Sequence, residues 1–186
     1  MWKQIIIGLA IFTLVFGTVY GKNSSNPRVT IETSKGKIIL ELYEDKAPMT
    51  VKNFLTYVED GFYNGTIFHR VIPNFMIQGG GYTVDFEEKT GGESIRNEAN
   101  NGIKNKRGTI AMARGRDPHS ASNQFFINNV TNSSLDFTAK TEEGWGYCVF
   151  GKVIEGLGVV DAISSVKTMT RGNMRDVPRQ TIEIIS

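Results

Sequence analysis

The spacing of apolar residues beyond residue 28 constrains the fold of this chain more than any other feature. Most apolar residues fall in strand-length runs separated by turns, and only two stretches have helical spacing. A helical bundle is therefore excluded, and a parallel α/β sheet would require strands and helices to alternate regularly. Strands are predicted over residues 29–31, 38–42, 67–72, 75–78, 109–113, 124–128, 147–154 and 181–185.

Two helices complete the predicted elements. The first begins at Pro48, a residue that suits the first helical turn. Its apolar residues have the spacing of one helix face: Val51, Phe54, Leu55 and Val58. The second covers residues 157–165. About eight strands with two separated helices favour a mainly β fold, a closed eight-stranded antiparallel β-barrel capped by the two α-helices.

The first 21 residues differ from the rest of the chain. Lys3 precedes an apolar run that ends in small residues near Gly21, the order found in a secretory signal peptide. The alternative is an uncleaved membrane anchor, because residues 5–21 are just long enough to span a bilayer, which takes about 17 to 25 residues. Residues 22–27 form a polar leader and 28–186 the folded domain. In either case we expect the domain to lie beyond a membrane: it is periplasmic or secreted, or membrane-anchored and facing outside the cytoplasm.

Composition limits the partners of the domain. The chain has 21 basic and 19 acidic side chains, a net charge of +2 that gives no reason to expect nucleic acid as a partner. Cys148 is the single cysteine, which excludes an intrachain disulfide and a zinc site built on cysteines. His69 and His119 are the only histidines and leave little for other metals. We therefore expect no metal.

Two stretches carry candidate functional residues. In residues 68–80, strand alternation predicts Phe68 and Arg70 on one face and His69 with Val71 on the other. Residues 112–128 again place a glutamine beside paired phenylalanines. By composition alone, both stretches can also be core strands with a surface arginine. A hydrolase built on His119 and its neighbouring serines is disfavoured, because no Gly-x-Ser-x-Gly elbow exposes a nucleophile.

These stretches resemble the cyclophilin family of peptidyl-prolyl cis-trans isomerases. The resemblance rests on Phe-His-Arg-Val-Ile-Pro at 68–73, Phe-Met-Ile-Gln-Gly-Gly at 75–80, Ser-Asn-Gln-Phe-Phe-Ile at 122–127 and Val-Phe-Gly-Lys-Val at 149–153. Within the family, the residues around Met-Ala-Arg at 112–114 and Gly-Trp-Gly-Tyr at 144–147 are similar to the bacterial branch, several of whose members are exported.

The resemblance implies a groove along one face of the barrel and a role for ten residues. Arg70 would be the catalytic residue. Four residues would form the proline pocket: Phe75, Met76, Phe126 and Leu135. Four others would hold the substrate backbone: Gln78, Ala113, Arg114 and Gln124. Tyr147 would lie at the pocket edge, and Ser134 stands where relatives carry an aromatic residue at the pocket rim. The family uses no cofactor and no metal.

The predicted function is therefore acceleration of X-Pro bond rotation in exported, proline-containing polypeptides, which assists their folding. A permanently charged arginine suits this reaction, because it can donate to the proline nitrogen while the bond is twisted. The alternatives are a proline-binding chaperone or scaffold module with little turnover, and a membrane-tethered structural protein. We expect a monomer that contacts a membrane only if the N-terminal segment is not cleaved.

Overall fold

A computed structural model of the chain describes residues 26–186, which form eleven strands and two α-helices. The predicted signal peptide and most of the polar leader lie outside these residues. No helix within residues 26–186 has the length and apolar character needed to cross a membrane. The strands are β1 (Arg28–Thr33), β2 (Gly36–Leu42), β3 (Thr66–Ile67), β4 (Arg70–Ile72), β5 (Met76–Gly79), β6 (Thr109–Met112), β7 (Phe125–Asn128), β8 (Val149–Glu155), β9 (Thr168–Arg171), β10 (Met174–Pro178) and β11 (Glu183–Ile184).

Nine of these strands form one antiparallel, strongly curled sheet in the order β3-β11-β1-β2-β8-β6-β7-β5-β4. The edge strands β3 and β4 are consecutive in the chain and are separated only by Phe68 and His69. The two ends of the sheet are therefore joined by the chain itself. The mainly β architecture with two helices is confirmed, but the sheet has nine strands where a closed barrel of eight was predicted.

The difference comes from the segment predicted as one strand over residues 67–72. Its first part, β3, pairs with β11, and its second part, β4, pairs with β5. The chain bends at Phe68 and His69 to change partners, so the alternation of side chains is interrupted there. Phe68 packs in the interior against Phe125, on the same side as Val71, and Arg70 points outward. The predicted shared face of Phe68 and Arg70 is wrong for this reason.

Helix α1 (Pro48–Glu59) covers one side of the interior, as its apolar spacing predicted. The ring of Phe54 packs against Tyr63, Phe125 and Phe150 at centroid distances of 5.1 to 5.6 Å. Helix α2 (Leu157–Ser164) follows β8 directly and buries Val160 and Ile163. Each helix therefore contributes apolar side chains to the core that the curled sheet encloses.

Strands β9 and β10 form a separate hairpin that the sequence did not predict. Most of its side chains are exposed or half-buried, and Val177 and Pro178 are the buried ones. A bulge around Asp176, whose φ is 60°, also interrupts the alternation. Without a buried face along its length, this hairpin lacks the periodic signal on which strand prediction depends.

Strands β5, β6 and β7 are buried on both faces. In β7, Phe125 and Ile127 point into the interior, whereas Phe126 points to the outer side. The outer side has its own apolar cluster, in which Met76, Ala111, Phe126 and Val149 are buried. The sheet thus separates the main core from a second, smaller cluster on its outer face, and this second cluster underlies the candidate site.

Candidate active site

A row of paired residues crosses four strands on the outer face of the sheet. Arg70 in β4 pairs with Gln78 in β5, Gln78 pairs with Phe126 in β7, and Phe126 pairs with Ala111 in β6. Directly paired residues of antiparallel strands project from the same face. The register alone therefore aligns a guanidinium, an amide and an aromatic ring across the sheet.

A recess of about 140 Å³ lies above this row. Its lining residues are Arg70, Phe75, Met76, Gln78, Ala113, Arg114, Phe126, Leu135 and Tyr147. The structure thus brings together all the residues predicted for the site except Gln124, which lies behind Gln78. The predicted rim residue Ser134 is exposed beside Leu135.

Arg70 is half-buried at the edge of the recess. Its Nη1 donates to Oε1 of Gln78 over 3.4 Å, and Nε2 of Gln78 donates to Oε1 of Gln124 over 2.9 Å. Among residues 26–186, no carboxylate forms a salt bridge with Arg70. The guanidinium is oriented by neutral amides, and its charge is not neutralised within this part of the chain.

Arg114 forms the opposite wall of the recess. Its Nε donates to the carbonyl oxygen of Gly146 over 2.9 Å, and its Nη1 donates to those of Gly115 and Arg116 over 2.9 and 3.2 Å. The guanidinium carbon lies 4.7 Å from the ring centroid of Tyr147, a cation–π contact. Backbone acceptors and an aromatic face therefore fix Arg114 in place.

The backbone of Ala113 can form a hydrogen bond with a bound peptide only through its carbonyl group. Its backbone N–H donates to the carbonyl oxygen of Gln124 over 2.9 Å, just beyond the end of β6. This bond uses the only donor of Ala113, so a bound chain would have to donate a hydrogen bond to the Ala113 carbonyl oxygen. The predicted backbone contact at Ala113 is consistent with this geometry.

A cluster of buried asparagines supports the recess and was missed in the sequence. Asn132 donates to the carbonyl oxygen of Phe75 over 2.8 Å and to Oδ1 of Asn128 over 2.7 Å. Asn105 donates to the carbonyl oxygen of Leu135 over 3.0 Å. These bonds hold Phe75 and Leu135, two apolar residues that line the recess. In the sequence, Asn105 and Asn132 have the pattern of ordinary polar loop residues, and Asn128 ends a predicted strand.

His69 and Cys148 are buried and do not line the recess. Burial lowers the pKa of His69 to about 4, and the nearby charge of Arg70 acts in the same direction. Burial also raises the pKa of the Cys148 thiol to about 12. At neutral pH both groups are uncharged, and the thiol is in its unreactive protonated form.

The residues considered for a hydrolase do not form a catalytic arrangement. The Ser120 hydroxyl donates to the backbone carbonyl of Asp117 over 2.6 Å. Nδ1 of His119 accepts from the backbone N–H of Asn97 over 3.1 Å. The serine and the histidine are thus engaged with different partners. Nor do residues 26–186 contain a group of three or more His, Cys, Asp or Glu side chains that could hold a metal ion.

Comparison with known proteins gives the family of the chain. Residues 28–186 match the family model described as cyclophilin type peptidyl-prolyl cis-trans isomerase/CLD. The chain is 54% identical over 158 residues to peptidyl-prolyl cis-trans isomerase B of Escherichia coli strain K12, covering 85% of this chain and 96% of that protein. It is 56% identical over 158 residues to peptidyl-prolyl cis-trans isomerase cyp18 of Streptomyces antibioticus, covering 85% and 95%.

A solved structure gives the same result. It is a cyclophilin type peptidyl-prolyl cis-trans isomerase of Cryptosporidium parvum, determined in the presence of the dipeptide Ala-Pro. It superimposes with a TM-score of 0.70 at 28% sequence identity, covering 85% of this chain and 95% of that one. The fold, the two sequence stretches and the extent of these matches show that the chain belongs to the cyclophilin-type peptidyl-prolyl cis-trans isomerases.

Proposed function

We propose that the recess binds the proline ring of a polypeptide and that Arg70 catalyses rotation about the preceding X-Pro bond. The observation that carries this proposal is the cross-strand row that places the Arg70 guanidinium at the edge of a recess with an apolar wall, on the outer face of the sheet. No covalent bond has to break in this reaction, so the site needs no nucleophile.

The recess suits a proline ring in size and chemistry. A cavity of about 150 Å³ accepts a benzene ring, and the pyrrolidine ring of proline is smaller. The apolar lining of Phe75, Met76, Phe126 and Leu135 would remove the three ring methylenes from water, at about 0.8 kcal/mol each. This burial anchors the ring while the carbonyl group of the preceding residue rotates.

Arg70 would stabilise the twisted state of the X-Pro bond relative to its planar states. Amide resonance sets a rotation barrier of about 18 to 20 kcal/mol, and the proline nitrogen regains its lone pair when the bond twists. A donor directed at that nitrogen stabilises the twisted state more than either planar one. One charge-assisted hydrogen bond contributes about 1.5 to 3 kcal/mol, which is one or two decades of rate. Further acceleration would come from backbone contacts at Gln78, Ala113 and Arg114 that fit the twisted chain best.

The test is an isomerisation assay on a short Ala-Pro peptide. The wild-type domain should accelerate exchange between the cis and trans forms, and Arg70→Ala should lose at least about 90% of that acceleration, one decade of rate. Arg175→Ala removes an exposed arginine on the β9–β10 hairpin and should keep wild-type activity. Peptide binding without acceleration by the wild-type domain would instead indicate a proline-binding chaperone or scaffold.

We also propose that the protein acts outside the cytoplasm, on exported chains, whose folding it would assist. The support is the order of a basic residue, an apolar run and a small-residue end within residues 1–21. N-terminal sequencing of the protein from fractionated cells should find a mature chain that begins near residue 22. An intact N-terminus in the membrane fraction would instead indicate an anchored form, and an intact N-terminus in the cytoplasm would contradict export.

A further inference from the structure

The recess is positively charged, although the whole chain is nearly neutral. Two guanidinium groups, those of Arg70 and Arg114, are among its lining residues, and none of the lining residues is a carboxylate. Salt bridges within residues 26–186 do not involve either arginine. A substrate with a negative charge would therefore meet two cations that no carboxylate of this part of the chain neutralises.

Arg114 is fixed but retains free donor capacity. Its three hydrogen bonds to backbone carbonyls use Nε and Nη1, and Nη2 donates to no acceptor in residues 26–186. The face of the guanidinium packs on Tyr147, whose ring in turn contacts Phe126 at 5.6 Å. A fixed guanidinium loses little conformational entropy when it binds an anion, so this side chain is preorganised as a donor.

Two carboxylates of the adjoining loops are already engaged. Glu142 pairs with Arg116, and Oδ1 of Asp117 accepts from the backbone N–H of His119 over 2.8 Å. Neither acidic side chain lines the recess. Arg116 itself is highly exposed, with 89% of its side chain accessible, which makes it a solvated charge outside the site.

We infer that Arg114 gives the enzyme a preference for substrates with an acidic side chain next to the proline. This inference rests on the proposed function, since it names the class of chain that the same recess prefers. A carboxylate flanking the proline would accept from Nη2 of Arg114 beside the apolar wall of Phe126 and Leu135. Reduced contact with water strengthens this attraction relative to that between fully exposed charges.

The test compares peptides that differ by one charge. Two matched pairs, blocked at both ends, carry Glu or Gln either before or after a single proline, and exchange NMR gives kcat/KM for each. The wild-type domain should favour the Glu peptide of at least one pair by about threefold to tenfold. Arg114→Gln should bring this ratio close to one, and Arg116→Gln should retain it. Salt concentrated enough to shorten the Debye length to about 3 Å should also reduce it.

The controls distinguish a failure of the proposed preference from a failure of the proposed function. Thermal unfolding checks that Arg114→Gln is folded, and the salt titration tests the same charge effect on the wild-type domain without any substitution. A wild-type ratio near one in both pairs would overturn the preference, and a ratio unchanged in folded Arg114→Gln would overturn its assignment to Arg114. Both results would leave the proposed isomerase activity intact. If no peptide is accelerated, the proposed function itself fails, and the preference fails with it.

Discussion

Gln124 holds Gln78 in one orientation through a hydrogen bond of 2.9 Å, with Nε2 of Gln78 as the donor. A side-chain amide has one donor end and one acceptor end. Because the donor end of Gln78 faces Gln124, its oxygen faces Arg70, at 3.4 Å from Nη1. Gln124 thus positions Gln78 against Arg70, the residue proposed to be catalytic.

Removal of this support should reduce catalysis. Gln124→Ala frees Gln78 to rotate, and the loss of one neutral hydrogen bond corresponds to a decrease in kcat/KM of about twofold to tenfold. The peptide isomerisation assay measures the change. Gln180→Ala removes an exposed glutamine near the end of the chain and serves as the matched control. Equal activity of both variants would show that Gln124 does not position Gln78.

Activity should be nearly constant between about pH 6 and 8, because the proposed reaction uses an arginine side chain and no acid or base that changes its charge in this range. Of the two histidines, neither lines the recess, and burial holds the pKa of His69 at about 4, below the range. A histidine acting as an acid or base would produce an inflection near its pKa. Rate measurements across this range check the prediction, and a clear inflection would assign a titrating group to the reaction.

Stability should fall in mild acid because of His69. Burial lowers the pKa of His69 in the folded state from 6.5 to about 4, so between these values the unfolded chain binds more protons. The contribution is fully present above pH 6.5 and is lost as the pH falls towards 4, by at most about 3 kcal/mol. Urea unfolding at several pH values measures this loss.

The variants for this measurement are His69→Gln and His119→Gln. His69→Gln should show a weaker pH dependence in this window because the buried titrating group is gone. His119 is exposed, and His119→Gln should keep the wild-type profile. If His69→Gln loses stability with pH as steeply as the wild-type domain, another group is responsible.

Glu98 caps helix α1 from a distant part of the chain. Its Oε2 accepts from both the backbone N–H and the hydroxyl of Thr50, at 2.8 and 2.7 Å, and its Oε1 accepts from the N–H of Met49 at 3.3 Å. Ala47, the N-cap residue, provides no side-chain hydrogen bond. The carboxylate therefore satisfies N–H groups at the helix start, where its negative charge also favours the helix dipole.

Glu98→Ala should lower the free energy of unfolding by about 1 to 3 kcal/mol, since it leaves these donors without their acceptor. Glu98→Gln retains one acceptor oxygen and should cause a smaller loss. Glu93→Ala removes an exposed carboxylate from the same segment and should have little effect. Urea unfolding ranks the three variants, and equal stability of Glu98→Ala and Glu93→Ala would contradict the capping role.

Gly146 cannot accept a side chain without a shift in the recess. Its φ is +62°, and an added Cβ would lie 2.6 Å from the carbonyl oxygen of Leu135. Gly146→Ala should therefore cost about 2 to 5 kcal/mol of stability and lower kcat/KM, because Leu135 lines the recess. Gly172→Ala has a similar φ of +57° but open space around the added carbon. It should lose only about 1 to 2 kcal/mol and keep its activity.

The sequence predicted individual elements better than their pairing. The hairpin β1–β2 and both helices follow from turn residues and apolar spacing, and the structure confirms them. The bend at Phe68 could not be predicted, because it depends on β3 and β4 pairing with different strands far apart in the chain. Apolar periodicity reports which face of a strand is buried, but it does not report which strand lies beside it.

The same limit applies to the site. From the residue pattern alone, Arg70 could be an ordinary surface charge. The ten site residues were predicted only through the resemblance to a family. The register of β4, β5 and β7 aligns Arg70, Gln78 and Phe126, and buried asparagines hold Phe75 and Leu135 beside them. A single sequence reveals neither arrangement. The supporting asparagines were not predicted, because Asn132 differs from a solvent-exposed loop asparagine only in its burial. Residue type does not report burial.

The position of β11 determines when the domain can complete its fold during synthesis. Residues 183–184 lie between β1 and β3, so the ring of strands stays open until this segment has left the ribosome. Before that point β2 can already pair with β8, but the other edge of β1 has no strand partner. An unpaired strand edge can pair with another chain, so the nascent domain exposes this edge of β1 until β11 emerges.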